Sequence, residues 1–566
     1  MAADTSDVTA GFGQVSRTAG RVFRALLLAA TLFGIVFVTI LLLYVANDAI
    51  QPLTADPGWH LTFFLTLVVP TAGVGAFVYR RSQAAFQTGM LALGFVAVAL
   101  LFSGGAAMLF IDIVRPLTWL AVVVALAVPA AITVGVTAYD QRLPFLARFG
   151  VTTAAFYLSL FGLPGPLGTV ASWLSQLGLP IPLGATLGSV RLVPSVVDVV
   201  SGVPVAPAPW LMLVATVGGP IGVVAGHAVA RDRGRRARVA ASSAFLAVVA
   251  VAGVVGPAVG VTPVPAVVVA AVGVVPPAAY AADVAVNAPR ERVGLAVPAT
   301  VIVGSLVGAG IVSVVGLAGP QSWVDWAFLT SAHSTNAESA GFYPSIGGSI
   351  LLMLSVAVLA FPVGVGAAIY LEEYAPDNWL TRVIDVNISN LAGVPSVVYG
   401  LLGFGLFVTH LNRPAGTVLI GGATLGLLIL PIIIISAREA IRSVPEAQRA
   451  ASDGMGATKW QTVRNVVLPR SFSGILTGTI LALGRAIGET APLIMIGAPT
   501  IKFSLPTQVS ETVTAMPLQV YAWSSLYATP DFYTKVVPAG VVVLVTVLLA
   551  MNSVAIVLRN KYQSHD

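Results

Sequence analysis

Residues 437–470 read AREAIRSVPEAQRAASDGMGATKWQTVRNVVLPR and separate two long apolar runs. Ser443 is a good helix N-cap, Pro445 suits an early helical position, and Glu446 favours the positive end of a helix dipole. These residues predict a short polar helix that begins where the first apolar run has ended.

A second helix is predicted in the same loop. Gly454 and Gly456 end the first helix, and Thr458 is placed to cap the next one, which Pro469 closes. One face of this second helix is apolar and consists of Trp460, Val463, Val466 and Val467. From this pattern alone, the second helix can equally be one that lies on a lipid surface.

The rest of the chain has the composition of a membrane protein. Of its 566 residues, 57% are hydrophobic and 9% are charged, whereas a soluble domain is nearer a quarter charged. Because a spanning helix takes ~20 apolar residues, the sequence predicts an all-α, polytopic integral membrane protein with about fourteen transmembrane helices. The predicted centres lie near residues 34, 70, 99, 128, 160, 220, 250, 274, 306, 358, 399, 427, 485 and 548.

Composition also excludes several functions. The chain has no cysteine and five histidines without ligand spacing, so we expect no metal site and no cofactor. No GxxxxGK[ST] phosphate loop occurs, so we expect ATP hydrolysis on a separate chain and no enzymatic activity here. The net charge of +6 fits basic residues in cytoplasmic loops better than nucleic-acid binding.

The distribution of Lys and Arg predicts the orientation. With the N-terminus inside, most of the 29 basic residues fall in inside loops, including the RDRGRRAR run at 231–238 and the loop 437–470. An even number of spans then leaves both termini cytoplasmic, in a prokaryotic cell membrane. The RDRGRRAR run is a topology anchor in this interpretation, with binding of anionic membrane lipid as the alternative.

One predicted span contains two opposite charges, in GRAIGETAPL at 484–493. Arg485 and Glu489 are four residues apart, which makes them neighbours on a helix. An unpaired charge at the bilayer centre costs ~2.5–3.5 kcal/mol on insertion scales, and intramembrane charges usually mark a transport path. The alternative is an ion pair that only locks helices together. At the inner end of another span, Arg438 and Glu439 are expected to be a solvated helix end.

The loop 437–470 resembles the coupling loop of ABC-importer permeases, whose pattern is Glu-Ala-Ala, three residues, Gly, nine residues, Ile, one residue, Leu-Pro. Ala450 departs from it, because the family usually has glutamate there, and Glu446 one turn earlier is a possible substitute. The resemblance implies that this loop contacts the ATPase through Glu446, Ala451, Ser452, Gly456, Trp460, Val466, Leu468 and Pro469.

Five motifs narrow the resemblance to the PstA-type permease of the high-affinity phosphate importer. They are YLEEYA (370–375), NLAGVPSVVYGLLG (390–403), GATKWQTVRNVVLP (456–469), RAIGETAPL (485–493) and PLQVYAW (517–523). The resemblance implies a six-helix ABC type I importer permease at 294–566. Residues 1–293 form a membrane extension of about eight spans whose role the sequence does not reveal.

The resemblance also implies a substrate path and partners. Its path residues are Arg485, Glu489 and Thr490. Asn390, Ser396 and Tyr399 surround Pro395 within one predicted span and are further candidates for the path because of that position, with interhelical hydrogen bonding as the alternative. The partners are a PstC-type permease, two copies of an ATP-binding subunit, an extracytoplasmic phosphate-binding protein and inorganic phosphate. Two alternatives remain: an ABC permease for another oxyanion such as molybdate or sulfate, and a non-transporting membrane scaffold or sensor in phosphate regulation.

Overall fold

A computed structural model describes residues 17–139, 145–164, 191–203, 207–527 and 529–563. In these ranges twelve helical stretches are long and apolar enough to span a membrane, and a pair of helices bent by 106° forms a thirteenth candidate. The span predicted near residue 160 is a shorter apolar helix in the described part, Gly150–Leu160. The chain is thus a multi-pass, helical membrane protein, with slightly fewer clear spans than predicted.

The helices of the extension are numbered α1–α12. They are α1 (Arg17–Ile50), α2 (Pro57–Phe63), α3 (Val69–Arg81), α4 (Gln83–Met108), α5 (Pro116–Tyr139), α6 (Phe145–Phe161), α7 (Val196–Ser201), α8 (Pro209–Leu213), α9 (Gly219–Val229), α10 (Arg235–Val255), α11 (Pro263–Val268) and α12 (Val275–Asn287). Strands β1 (Leu163–Pro164) and β2 (Arg191–Val193) pair antiparallel and form a two-stranded sheet.

The remaining helices are numbered α13–α24. They are α13 (Ala296–Val315), α14 (Trp326–Thr330), α15 (Tyr343–Ile369), α16 (Trp379–Ala392), α17 (Ser396–Gly403), α18 (Val418–Arg442), α19 (Glu446–Gly454), α20 (Lys459–Thr462), α21 (Leu468–Ile487), α22 (Ala491–Met495), α23 (Met516–Ser525) and α24 (Val537–Gln563).

Several spans contain a π-helical turn that stops two residues before a proline. Proline has no N–H to donate and its ring crowds the preceding turn, and a locally wider turn accommodates both effects without breaking the span. The π turns Phe64–Val68, Val214–Gly218, Val269–Val274, Val463–Val467 and Phe532–Val536 precede Pro70, Pro220, Pro276, Pro469 and Pro538. The helix therefore continues through the proline in each of these spans.

Helices of the extension pack against helices of the C-terminal part. Helix α1 packs along α24 near the C-terminus, whereas α13 packs against α2, α3 and α4 of the extension. The segments that follow α1 and α13 are hydrogen-bonded to each other: Trp323 N–H donates to Ala49 O (2.8 Å) and Gln321 N–H to Thr54 Oγ1 (2.8 Å). The extension thus packs directly against the C-terminal part, and the boundary at 293/294 stays a prediction.

Helix α18 is the centre of the C-terminal part. Its apolar window is 67% buried, compared with at most 39% in the other described spans. It packs against α15 and α21, and Leu425, Ile429 and Ile433 are almost completely buried there. The ends of α18 therefore have the best-fixed positions in this part of the chain, and both site regions described below lie next to α18 or its immediate neighbours.

A second buried cluster lies between the segment after α14 and helix α23. His333 is 4% exposed, and its Nδ1 accepts a hydrogen bond from Trp523 Nε1 (3.0 Å). Because an indole only donates, the neutral imidazole carries its proton on Nε2. That nitrogen has no hydrogen-bond partner among the described residues. Burial lowers the pKa of His333 below its usual value of 6.5, since charging the ring would both desolvate a cation and break the Trp523 bond.

The buried, neutral His333 predicts that the folded protein loses stability as the pH falls. A His with a lowered folded-state pKa contributes stability above the unfolded-state pKa, and this stability is lost as the pH falls below about 6.5, by up to ~1.4 kcal/mol per pH unit. His333→Gln keeps an acceptor for Trp523 and is expected to flatten the fall in Tm between pH 7 and pH 5. His410→Gln, at an exposed position, is the control. Equal slopes for wild type and His333→Gln would contradict the prediction.

Candidate translocation site and coupling loop

Arg485 and Glu489 lie at a helix break, not in the middle of a span. Helix α21 ends at Ile487, and α22 starts at Ala491. The predicted span centre near residue 485 is therefore wrong: the spanning stretch is Lys459–Ile487. Arg485 Nε is 3.5 Å from Glu489 Oε1, with side chains 51% and 17% exposed. This long, single contact leaves most of the guanidinium donors of Arg485 open to another anion.

The neighbouring path residues lie around a second break. Gly393 and Pro395 separate α16 from α17, because proline cannot donate the helical hydrogen bond and disfavours helix at the residue before it. Asn390, Ser396 and Tyr399 were predicted to surround Pro395 within one span, but the two helices meet there at 106°. The bend leaves backbone groups of the last turn of α16 facing α17.

Helix α17 approaches the Arg485 site closely. Tyr399 is 4% exposed and packs in one buried cluster with Ala486 and Leu493, and its hydroxyl donates to Leu391 O (2.8 Å). A Cβ on Gly400 would come within 2.8 Å of Pro492 Cα, which shows how tightly α17 fits against α22. The structure thus brings Tyr399 on α17 next to the segment that contains Arg485, Glu489 and Thr490, whereas Ser396 is half-buried at the start of α17. Asn390 is exposed on the other side of the bend.

The coupling loop has the predicted first helix, glycine turn and start of a second helix, but Pro469 does not close that second helix as predicted. The helix continues through the π turn Val463–Val467 into α21 and forms one spanning stretch, Lys459–Ile487. Thr458 forms a capping box with Gln461, whose Oε1 accepts from Thr458 N–H (2.8 Å), as its position predicts. The first cap is different: Pro445 is the N-cap of α19 and Ser443 lies two residues earlier. Ser443 instead donates to Ala440 O (2.8 Å), because α18 extends through Arg442 and takes Ser443 as its C-cap.

The glycine turn presents an exposed apolar surface. Gly456 has φ +78°, a left-handed conformation that favours glycine, and Ser452 Oγ and Thr462 Oγ1 hold the two helices together (2.8 Å). Met455 and Trp460 are 87% and 52% exposed. Of the other predicted coupling residues, some are exposed and others half-buried: exposed are Glu446, Ala451, Gly456 and Pro469, and half-buried are Ser452, Val466 and Leu468.

A cluster of ion pairs behind this loop was missed from the sequence. Arg438 was expected in a solvated helix end, but its side chain is 16% exposed and paired with Glu372 (3.3 Å) and Asp385 (2.6 Å). Glu439, by contrast, is exposed as predicted, at 69%. The sequence signal for these pairs is the matching number of opposite charges. The loop 437–470 contains Arg438, Arg442 and Arg449, and the segments after α15 and in α16 contain Glu372, Glu373 and Asp385.

Comparison with known proteins identifies the family of the chain. Residues 360–561 match the family described as binding-protein-dependent transport system inner membrane component. A relative, the probable ABC transporter permease protein YqgI of Bacillus subtilis, is 32% identical over 203 residues, which are 35% of this chain and 68% of that protein. The chain belongs to the ABC transporter permease family. As an ABC permease, it is a membrane subunit with a role in transport rather than an enzyme.

Two other ABC permeases are also similar to this chain. The phosphate transport system permease protein PstA of Yersinia pestis is 32% identical over 221 residues, 39% of this chain and 72% of that protein. PstC 2 of Mycobacterium tuberculosis is 37% identical over 171 residues, 26% of this chain and 52% of that protein. The chain therefore spans between half and three quarters of these relatives, and the matched family region starts within α15.

Proposed function

We propose that this permease is the PstA-type subunit of an ATP-driven phosphate importer and forms half of its translocation path. The observation that carries the proposal is Arg485, a half-exposed guanidinium at a helix break in the membrane region, only loosely paired with Glu489. Similarity to a protein named as a phosphate transport permease supports it. The guanidinium is planar and presents a rigid fork of N–H donors, which can bind two oxygens of a tetrahedral phosphate at once.

Weak binding suits a transport path. Arg485 meets a phosphate oxygen, while Glu489 balances the guanidinium charge when no anion is present and limits how tightly the anion is held. A site that bound phosphate too strongly would trap it. Thr490, Ser396 and Asn390 are the polar residues that we assign to the same path. The Tyr399 hydroxyl is already engaged with Leu391 O, so its part is to hold α17 in position.

The remaining subunits supply energy and substrate. A PstC-type permease completes the path, two copies of a separate ATP-binding subunit hydrolyse ATP, and an extracytoplasmic phosphate-binding protein delivers the anion. The exposed turn with Met455 and Trp460 docks on the ATPase, so the loop 437–470 lies on the cytoplasmic side of a prokaryotic cell membrane. The distribution of Lys and Arg assigns both termini to the same side. The family's glutamate is replaced by Ala450, and Glu446, 92% exposed on its side chain, provides the carboxylate one turn earlier.

The turn glycine provides a prediction for this coupling loop. Gly456→Ala forces a Cβ into the left-handed region at a cost of roughly 1–2 kcal/mol, so the turn deforms and the ATPase docks less well. Uptake is expected to fall several-fold. Gly454→Ala is the matched control, because a Cβ there meets nothing within 4 Å and its φ is not positive. Equal loss in both variants would show that the left-handed turn is not what matters.

ATPase stimulation tests the proposed role. The purified chain, reconstituted with the permease partner, the ATP-binding subunit and the binding protein, is expected to hydrolyse ATP faster when the binding protein carries phosphate. A complex that assembles but whose ATPase does not respond to phosphate would overturn the proposal. A response to sulfate- or molybdate-loaded binding protein instead would identify a different oxyanion.

A further inference from the structure

Two arginines on the last turns of α18 share one carboxylate. Glu372 lies in the π turn Tyr370–Tyr374 that ends the α15 span. Its Oε2 accepts from Arg438 Nε (3.3 Å) and its Oε1 from Arg442 Nε (3.0 Å). Arg438 and Glu372 are both only 16% exposed, so solvent screens their interaction less than that of a surface pair.

Arg438 also reaches α16. Its Nη1 and Nη2 donate to the two carboxylate oxygens of Asp385, at 2.6 and 3.2 Å. This bidentate contact fixes both the distance and the orientation of the two side chains. Arg438 therefore joins the inner ends of three spanning elements, those that contain Glu372, Asp385 and Arg438 itself.

The coupling loop is connected to the same π turn. Arg449 on α19 pairs with Glu373, the residue after Glu372, and its Nη2 donates to Ile441 O (2.7 Å). Glu373 is 6% exposed on its side chain and Arg449 is 14% exposed. A displacement of α19 therefore acts first on the π turn and the end of α18, through buried charged contacts.

Helix α16 has little else to hold it. No residue of α16 is fully buried, and its apolar side chains include Trp379 at 75% and Val386 at 54% exposure. Ile388 packs against the apolar cluster at the inner end of α18, and the bidentate pair to Arg438 is the described salt bridge that ties α16 to a distant part of the chain. Beyond the 106° bend, α17 packs against α22, next to Arg485.

We propose that Asp385 and Arg438 are positioning residues that transmit movement of the coupling loop to α16 and α17, and so to the anion path. This inference rests on the proposed function for its direction of transmission. The route runs from Arg449 through Glu373 and Glu372 to Arg438 and Asp385. A pair that served only to stabilise the fold would affect ATP hydrolysis and uptake together, whereas a transmitting pair separates them.

The test is the number of phosphate ions taken up per ATP hydrolysed in the reconstituted complex. Asp385→Asn keeps the shape and removes the charge, and is expected to lower this ratio about 10-fold while the ATPase rate stays within about twofold. Asp385→Glu, which keeps the charge, is expected to retain most of the coupling. Asp377→Asn is the matched control, because Asp377 lies just before the same helix, is 97% exposed and has only a long ion pair (3.7 Å) with Arg382. An unchanged ratio in Asp385→Asn, or a parallel loss of uptake and ATPase activity, would overturn the inference.

A second readout does not depend on the identity of the transported ion. The chain has no cysteine, so Leu402→Cys on α17, at a position 50% exposed, accepts a single environment-sensitive fluorophore. ATP binding to the complex is expected to change its emission, and Asp385→Asn to remove most of that change. If the wild type does not take up phosphate but ATP still changes the emission and Asp385→Asn removes that change, the proposed substrate is wrong. The proposed transmission from the coupling loop to α17 then stands. If the change persists in Asp385→Asn, the transmission is wrong.

Discussion

Replacing Arg485 by alanine is expected to lower ATP-driven phosphate uptake roughly 10- to 100-fold. The estimate follows from hydrogen bonds to a charged group, which contribute about 1.5–3 kcal/mol, at about 1.4 kcal/mol per tenfold change. Because Arg485 is half-exposed and its single contact with Glu489, whose side chain is 17% exposed, is long at 3.5 Å, losing this contact is expected to leave the protein folded. The measurement is initial uptake of labelled phosphate in reconstituted vesicles.

Three further variants define what Arg485 does. Arg485→Lys keeps the charge without the planar fork, and is expected to retain an intermediate rate. Arg413→Ala, at an exposed position outside the site, is the control and should transport normally. The combination Arg485→Glu with Glu489→Arg preserves an ion pair but moves the guanidinium. Normal transport by this charge-swapped variant would exclude a specific contact from Arg485 to phosphate and favour a structural lock.

Gly400→Val is expected to abolish most uptake by separating α17 from α22. A Cβ at this position lies 2.7 Å from Met495 Cβ and 2.8 Å from Pro492 Cα, and the Pro492 atom is backbone that cannot rotate away. Overpacking of this kind costs about 1–3 kcal/mol. Because α22 follows Thr490 directly, the displacement reaches the Arg485 site as well as the helix contact.

The control for this substitution lies on the same structural segment. Gly405, in the π turn Phe404–His410, has nothing within 4 Å of a Cβ, so Gly405→Val should transport normally. Uptake is measured together with the amount of assembled complex, which separates misfolding from loss of transport. Normal uptake by Gly400→Val would contradict the close approach of α17 and α22.

Much of the fold follows from local sequence. Apolar length predicts the spans, and Thr458 with Gln461 predicts the start of the second coupling helix, because these signals act within one or two helical turns. The breaks are harder to predict. In the spans that contain Pro70 and Pro538, a π turn precedes the proline and the helix continues, whereas Pro395 separates two helices. Whether the helix continues or breaks at a proline depends on whether neighbouring helices provide hydrogen-bond partners for the freed backbone groups. The local sequence does not specify those neighbours.

The candidate site was only partly predictable for the same reason. Arg485 and Glu489 are four residues apart, so helical periodicity suffices to pair them, although not to place the helix end at Ile487. The partners of Arg438 are 66 and 53 residues away, and that of Arg449 is 76 residues away. Contacts of such separation depend on how α15, α16 and α18 pack, and the sequence showed only that the charges balance.

The most direct test of the central proposal is ATP-dependent accumulation of labelled phosphate in vesicles that contain this chain, its permease partner and the ATP-binding subunit, with the binding protein added on the opposite face. Accumulation is expected only when ATP, the binding protein and all membrane subunits are present, with unlabelled phosphate competing and sulfate and molybdate not competing. A fully assembled complex that hydrolyses ATP without accumulating phosphate would contradict the proposed function.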